Sequence, residues 1–322
     1  MKVYKYRSNY NRDLITLFLN QLYAPTYDKL NDPFEGIYNE KEDKKILDLL
    51  KSFGSNPLEK AYEEIITTVK QKGIYSLCKT FDNEILWSLY SDSHKGFVIE
   101  YDLDILIQDF NFNKITPLIH VVDVNYKDTP QQSMIIRDSI NKYLDLANII
   151  GTKSLSWQHE NEIRLIFEDS GINTFNFKAV TSIIFGLRTS ENDINNTMNI
   201  LKGRNLKYYK METKGDSYKL KINTIEDLYK YAPKYIQNKA PFQEKLISDE
   251  NISSEYQKYK NLIVELLNNI SALPNIINID SLEVYGDIEY PKVNVLTSTN
   301  LKILPIRFFQ YQYNNSEFIQ IN

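Results

Sequence analysis

With one cysteine, three histidines, ten glycines and only seven arginines in 322 residues, the chain is short of the residues that several kinds of protein chemistry need. A single thiol, Cys78, leaves no intramolecular disulfide and no cysteine-based metal cluster, and it fits a reducing, cytoplasmic setting. The histidines lie at 94, 120 and 159, and no pair has metal-ligand spacing, so no resident metal is expected. No stretch approaches the ~18–20 apolar residues of a membrane span. The first residues, MKVYKYRSNYNRD, lack the apolar core and cleavage site of a secretory signal. No glycine-rich dinucleotide loop follows a strand, and there is neither a Gly-x-Ser-x-Gly elbow nor a Gly-rich Lys-Ser/Thr phosphate loop. A Rossmann-type NAD oxidoreductase is therefore not expected. Positive charge is also wanting: the net charge of -4 is wrong for a dedicated DNA-binding protein. The densest basic run, Lys202 to Lys221, reads as a lysine-protected sheet edge.

What is present is an ordinary globular composition, 42% hydrophobic and 25% charged, long enough to bury a core. Periodicity predicts strands at residues 2–7, 21–24, 74–79, 97–102, 120–125, 157–167 and 180–185. Helices are predicted over 10–20, 40–53, 57–72, 84–90, 130–150 and 254–272. Residues 206–222 read as a hairpin turning at 214–216. The fold class is α+β: a split antiparallel β-sheet core with flanking helices at 1–223, then a mixed helix and strand accessory region at 224–322. That second region carries no recognisable chemical motif and is a candidate docking surface for a partner protein.

The densest polar signal is WQHENEIR, Trp157–Arg164. On a strand, side chains alternate between faces, so Glu160, Glu162 and Arg164 would project together, about 7 Å from one to the next. Two readings stay open, a solvated face with an ordinary ion pair or a polar site on a rigid element. Asn31–Glu35 reads first as a turn, and Asp32 and Glu35 would border a cleft if it is functional. Trp87 and Tyr90 share a helix face and suit core packing. His94 stands before Gly96 as a polar contact in or near a site. Trp157 suits a core or cleft wall, with stacking on a base or nicotinamide ring as its functional reading. Cys78 reads as a buried thiol.

Several segments together resemble the bacterial family catalogued as domain of unknown function 2971. They are YKYRS (Tyr4–Ser8), LNDPFEG (Leu30–Gly36), LWSLYSDSHKGFVIEYD (Leu86–Asp102), WQHENEIRLIF (Trp157–Phe167) and IIFGLRTS (Ile183–Ser190). The resemblance runs over roughly residues 1–222. More remotely, an Arg in the first strand, a Ser in a middle strand and Glu-x-Glu in a late strand resemble the arginine–serine–glutamate class of ADP-ribosyltransferases. That class implies split antiparallel sheets with NAD, the substrate, held in the cleft between them. Carried over, Arg7 would anchor NAD phosphate or ribose, Ser76 would be the middle-strand serine, and Glu162 the catalytic glutamate. Glu160 would orient or deprotonate the acceptor. Trp157, His94 and Arg164 complete the residues expected to bind NAD. The Ser-Thr-Ser triplet of that class is absent here, since Leu77 and Cys78 follow Ser76.

The chemistry fits those residue types. Breaking the nicotinamide–ribose bond builds positive charge on the anomeric carbon, as in glycoside cleavage. A carboxylate holding the neighbouring hydroxyl stabilises that charge more in the transition state than before it. The resulting expectation is an NAD-dependent ADP-ribosyltransferase or NAD glycohydrolase, with a toxin or phage-defence role suggested by the class. Its acceptor is open between protein, nucleic acid and small molecule. The rival expectation is a non-catalytic ligand-sensing or interaction module. A third is a metal-dependent nuclease or nucleotide hydrolase built on Asp32, Glu35 and Glu160.

Overall fold

A computed structural model describes residues 1–8, 11–52, 57–112, 118–132, 146–237, 239–273, 276–299 and 305–321. They form two compact units, Met1–Pro233 and Lys234–Asn322. The first unit begins with β1 (Lys2–Arg7), α1 (Asn11–Phe18), β2 (Gln21–Ala24), β3 (Tyr38–Asn39), α2 (Lys41–Ser52) and α3 (Pro57–Gln71). It continues through β4 (Gly73–Cys78), α4 (Glu84–Tyr90), β5 (Phe97–Asp102), α5 (Leu103–Phe112), β6 (Leu118–Asp123), β7 (Asn125–Lys127) and β8 (Gln131–Gln132). After α6 (Leu146–Ile150) come β9 (Thr152–Ser154), β10 (Glu162–Phe167), β11 (Gly171–Thr174), β12 (Val180–Phe185), α7 (Glu191–Ile200), β13 (Lys207–Thr213) and β14 (Leu220–Ile225). Residues 133–145 of the helix expected over 130–150 lie outside the described residues.

Eight of these strands make one mixed sheet in the order β14-β13-β12-β5-β1-β4-β10-β6. All neighbours are antiparallel except β12 and β13, whose parallel pairing requires the crossover that α7 supplies. The chain is thus α+β with a large mixed sheet. Both faces of the sheet are covered, which explains the unbroken apolar run Phe97-Val98-Ile99. Phe97, Ile99 and Tyr101 pack with Leu14, Leu17 and Phe167 on one face. Val98 packs with Tyr4, Tyr6 and Trp87 on the other. Helix α5 follows β5 without a loop because the Asp102 carboxylate accepts from the amides of Asp104 and Ile105, a side-chain cap. The boundary expected at 223/224 falls inside β14, which pairs with β13 through Ile225.

The sheet has one weak seam. β1 pairs with β5 along all six residues, Lys2 to Arg7, but meets β4 only at Tyr4–Cys78. Beyond that point side chains bridge the gap in place of the ladder. Lys5 Nζ donates to the Ser76 carbonyl at 2.6 Å and Tyr6 Oη to the Thr80 carbonyl at 3.2 Å. A cavity opens along this split.

The expected strand over 157–167 is shorter in the structure. Residues Leu155–Glu160 form a 3-10 helix, and Asn161 takes a left-handed conformation (φ 44°) that sends the chain into β10. Asn enters this region more readily than most residues. In the second unit the helix expected over 254–272 divides into a 3-10 segment, Ser254–Tyr259, and α8 (Lys260–Ser271). There β15 (Ile276–Gly286), β16 (Pro291–Thr299), β17 (Ile306–Tyr313) and β18 (Phe318–Gln320) form an antiparallel meander. Its alternate residues, Val293 and Val295 among them, pack on Ile263 and Leu267 of α8. Among the described residues no helix is long and apolar enough to cross a membrane.

Two glycines let chain segments touch beside the seam. A Cβ on Gly96 would stand 2.0 Å from the Arg7 carbonyl, and one on Gly186 would stand 2.1 Å from that of His94. Both obstacles are backbone, so neither can be relieved by a rotamer change. We expect Gly96→Ala to lower stability by about 3 kcal/mol or more, measured by urea unfolding. An unchanged midpoint would mean that the close approach is absent.

Candidate active site

The cavity along the split has a volume of about 900 Å³ and is lined by residues from β1, α1, the loop after β2, β4, α4 and the segment 153–162. That volume is ample for a nucleotide-sized ligand. Its floor is built around Arg164, which has no exposed surface. A guanidinium has five N–H donors in a rigid fork, and here all five are used. Nε donates to Glu162 Oε1 at 2.8 Å, and Nη2 to Glu35 Oε1 at 2.6 Å and Glu162 Oε2 at 3.3 Å. Nη1 donates to Glu35 Oε2 at 2.9 Å and to the Ile150 carbonyl.

Lys153, from the short strand β9, sits among three carboxylates as an internal cation. Its Nζ lies 2.6 Å from Glu160 Oε2, 3.4 Å from Glu162 Oε2 and 3.4 Å from Glu35 Oε1. Trp157 carries its ring 4.8 Å from the same ammonium, a cation–π support. Tyr90 Oη donates to Glu160 Oε1 at 2.6 Å. Ser76, the neighbour of Arg164 across β4 and β10, also favours the charged form of Glu162. Three carboxylates against two cations leave this floor one negative charge in excess.

The electrostatics follow from burial and pairing. Burial by itself would raise the Glu162 carboxyl, but Arg164 and then Lys153 outweigh it and hold the group at about 2. Burial likewise opposes charge on Lys153 and Arg164, and the surrounding glutamates reverse it, so both are raised. Cys78 is pushed up to about 12, chiefly by burial, so the thiol is no nucleophile at neutral pH.

The opposite end of the cavity is basic. Arg7 extends from β1 with Nη2 3.4 Å from Tyr75 Oη and Nη1 3.8 Å from Asp13 Oδ1. Arg12 shares the same Asp13 oxygen at 3.3 Å. Lys5 lies between the two ends, 4.7 Å from the Tyr75 ring centroid and bonded to Ser76.

Of the residues singled out in the sequence, Arg7, Ser76, Glu160 and Glu162 line this one cavity. Arg7, Ser76 and Glu162 come from β1, β4 and β10, which are neighbours in the sheet. Three others stand outside its lining. Arg164 lies beneath the floor, Trp157 supports Lys153, and His94 stacks on Trp87 with its Nδ1 buried and unbonded. Burial lowers the His94 imidazole, with Arg188 adding to the effect.

The solvated-face reading of Glu160, Glu162 and Arg164 is overturned, since all three are at most 5% exposed. Asn31–Glu35 is a turn, and of its two carboxylates Glu35 lines the cavity whereas Asp32 does not. The Phe34 amide bonds Asp32 Oδ1 as a turn requires, while Glu35 is buried against Arg164. Lys5 and Lys153 were missed, and Tyr90, expected to pack in the core with Trp87, lines the cavity and bonds Glu160. Lys5 had a signal, two residues before Arg7 on the same strand. Lys153 had none from periodicity, because the 3-10 turn over Leu155–Glu160 stands between it and Glu162, and Glu35 is far away in the chain.

The fold and floor therefore define a class: an α+β protein whose large mixed sheet parts to hold a charged cavity. Residues 86–165 match the model of a family described as protein of unknown function (DUF2971). That stretch runs from α4 to β10 and contains Tyr90, Lys153, Glu160, Glu162 and Arg164. No curated protein and no solved structure matches the chain.

Removing one member of a buried ion pair leaves its partner uncompensated, at a cost of roughly 3–5 kcal/mol. We expect that loss in Glu162→Gln at neutral pH. The pH dependence follows from the depressed carboxyl: its stabilisation is complete above the ordinary value of 4.5 and is lost as pH falls towards about 2. Thermal melts between pH 6 and pH 2 should show a steeper acid decline in the wild type than in Glu162→Gln. Equal slopes would remove Glu162 from the account of acid stability.

Proposed function

We propose that the Met1–Pro233 unit is an NAD-consuming enzyme of the ADP-ribosyltransferase kind. The observation that carries this reading is the convergence of Arg7, Ser76, Glu160 and Glu162, from adjacent strands and the turn before β10, on one cavity. The cavity has a basic end at Arg7 and Arg12 and an acidic floor at Glu35, Glu160 and Glu162. In this reading the basic end takes the diphosphate through bidentate, charge-assisted bonds. The acidic floor faces the ribose whose bond to nicotinamide breaks. That bond's electron pair leaves with nicotinamide, and the positive charge left on the anomeric carbon is met by the floor's excess negative charge.

The two glutamates differ in what they have left to offer. Glu162 accepts from Arg164 twice and from Lys153, so both of its oxygens are engaged by cations. Glu160 accepts from Tyr90 and Lys153 alone among the described residues, leaving lone pairs for a ribose hydroxyl or for the nucleophile's proton. Glu162 then supplies field and fixes Lys153. The engagement of both Glu162 oxygens by Arg164 and Lys153 also favours a second reading, in which the cavity binds a nucleotide without cleaving it.

Incubation with NAD labelled on each half, in the presence of a cell lysate, tests both. Nicotinamide release with transfer of the other label supports a transferase, and release without transfer supports a glycohydrolase. We expect Glu160→Gln to slow release by about 100-fold or more while NAD still binds. Full activity in a folded Glu162→Gln protein would remove that residue's role. Binding of NAD with no release by the wild type would leave the sensing module.

A further inference from the structure

We infer that Lys5 is a nucleophilic amine, placed to form an imine with an aldehyde or ketone admitted to the cavity. This assignment does not rest on the NAD reading above. Among the described residues three lysines line the cavity, Lys5, Lys29 and Lys153, and their surroundings differ. Lys29 is exposed. Lys153 is buried among three carboxylates within 3.4 Å, which keep it an ammonium. Lys5 is half-buried, no carboxylate lies within 4 Å of it among the described residues, and its hydrogen bond goes to the neutral Ser76 carbonyl. Stapling the seam does not by itself call for an amine, since Tyr6 does the same with a hydroxyl. The next side chain on the cavity face of β1 is Arg7, a guanidinium that stays charged. A lysine drawn out of water beside a second, permanent cation is disposed to lose its proton and act as a nucleophile. The neutral amine keeps its bond to Ser76 through one N–H, and its lone pair then points away from that carbonyl.

The groups facing Lys5 are Arg7 on its own strand, Tyr75 and Cys78 on β4, Glu162 on β10 and Glu160 on the turn before it. Burial and then Arg7 lower the ammonium from the ordinary 10.5 to about 8, with Glu162 and Glu160 opposing. At pH 7 such a group has about a tenth of its amine free, against roughly one part in 3000 for an ordinary lysine. Opposite environments for two like groups in one cavity divide their roles: Lys153 is the fixed cation and Lys5 the reactive amine. The step is redox-neutral. The Nζ lone pair bonds to the carbonyl carbon while the C=O π pair moves to oxygen, which takes one hydrogen of the amine to give a carbinolamine. The C–O bond then breaks, the oxygen leaves as water with the second hydrogen of the amine, and a C=N bond remains.

The test is reductive trapping on the full chain. The protein is treated with limiting acetaldehyde and cyanoborohydride, whose hydride converts the imine to a stable secondary amine, and each lysine is then scored by peptide mass spectrometry. At pH 7 we expect Lys5 to be alkylated at least tenfold faster than the exposed Lys29, and Lys153 to stay unmodified. The ratio of Lys5 to Lys29 should fall from pH 7 to pH 9, because the free amine of Lys5 saturates first. In guanidinium chloride the preference for Lys5 should vanish, since the fold creates it. Alkylation of Lys5 no faster than that of Lys29 would overturn the assignment. So would a ratio that does not fall with pH, or a preference that survives unfolding. NAD cleavage is read by a separate assay, so either proposal can fail while the other stands.

Discussion

A fully buried guanidinium must find acceptors for five N–H groups, and Arg164 finds them on three separate pieces of chain. Glu162 comes from its own strand, Glu35 from the turn after β2, and the Ile150 carbonyl from the end of α6. The fork therefore fixes the loop that walls the cavity to the strand that floors it. Lys153 binds the same two glutamates and adds Glu160, which carries the link to Tyr90 on α4. A buried ion pair is weak evidence for stability, since apolar residues of equal volume often serve as well. Here the charged cluster gives the carboxylates a fixed geometry, which an apolar floor would not.

The second constraint is the incomplete pairing of β1 with β4. A fully laddered sheet would bring these strands to within about 5 Å along their length and close the space where the cavity lies. The ladder instead ends at Tyr4–Cys78, and the carbonyls freed on β4 and just beyond it are met by Lys5 and Tyr6 side chains. Satisfying carbonyls from side chains is what allows the sheet to part without leaving those carbonyls unpaired. The same lysine is then left with donors facing the cavity. Fold and site share their residues at this seam.

Much of the sheet could be read from local pattern. The alternation in KVYKYR, the apolar run FVI and the 206–222 hairpin each carry their element within a few residues. Helices α5 and α7 and strand β11 were not read, although Asp102 and Ser190 stand at the N-caps of the two helices. In the site, the period of two correctly put Glu162 and Arg164 on one face of a strand. It misjudged Glu160, because Asn161 breaks the alternation. It also left their exposure open, since burial depends on Glu35, 129 residues from Arg164, and on Ile150 and Lys153, which reach the cluster across an irregular turn. Residues that meet only in the folded chain leave no periodic trace, and Glu35 against Arg164 is the plainest case.

The central claim is that one cavity, floored by the Arg164 cluster and opened by the β1–β4 seam, holds an ADP-ribose unit in a single orientation. A crystal structure of the protein with ADP-ribose tests it most directly. The account predicts the diphosphate at the basic end beside Arg7 and the terminal ribose hydroxyls within hydrogen-bond distance of Glu160, with the Arg164 fork intact. ADP-ribose bound elsewhere, or bound with its diphosphate at the glutamate floor, would contradict it.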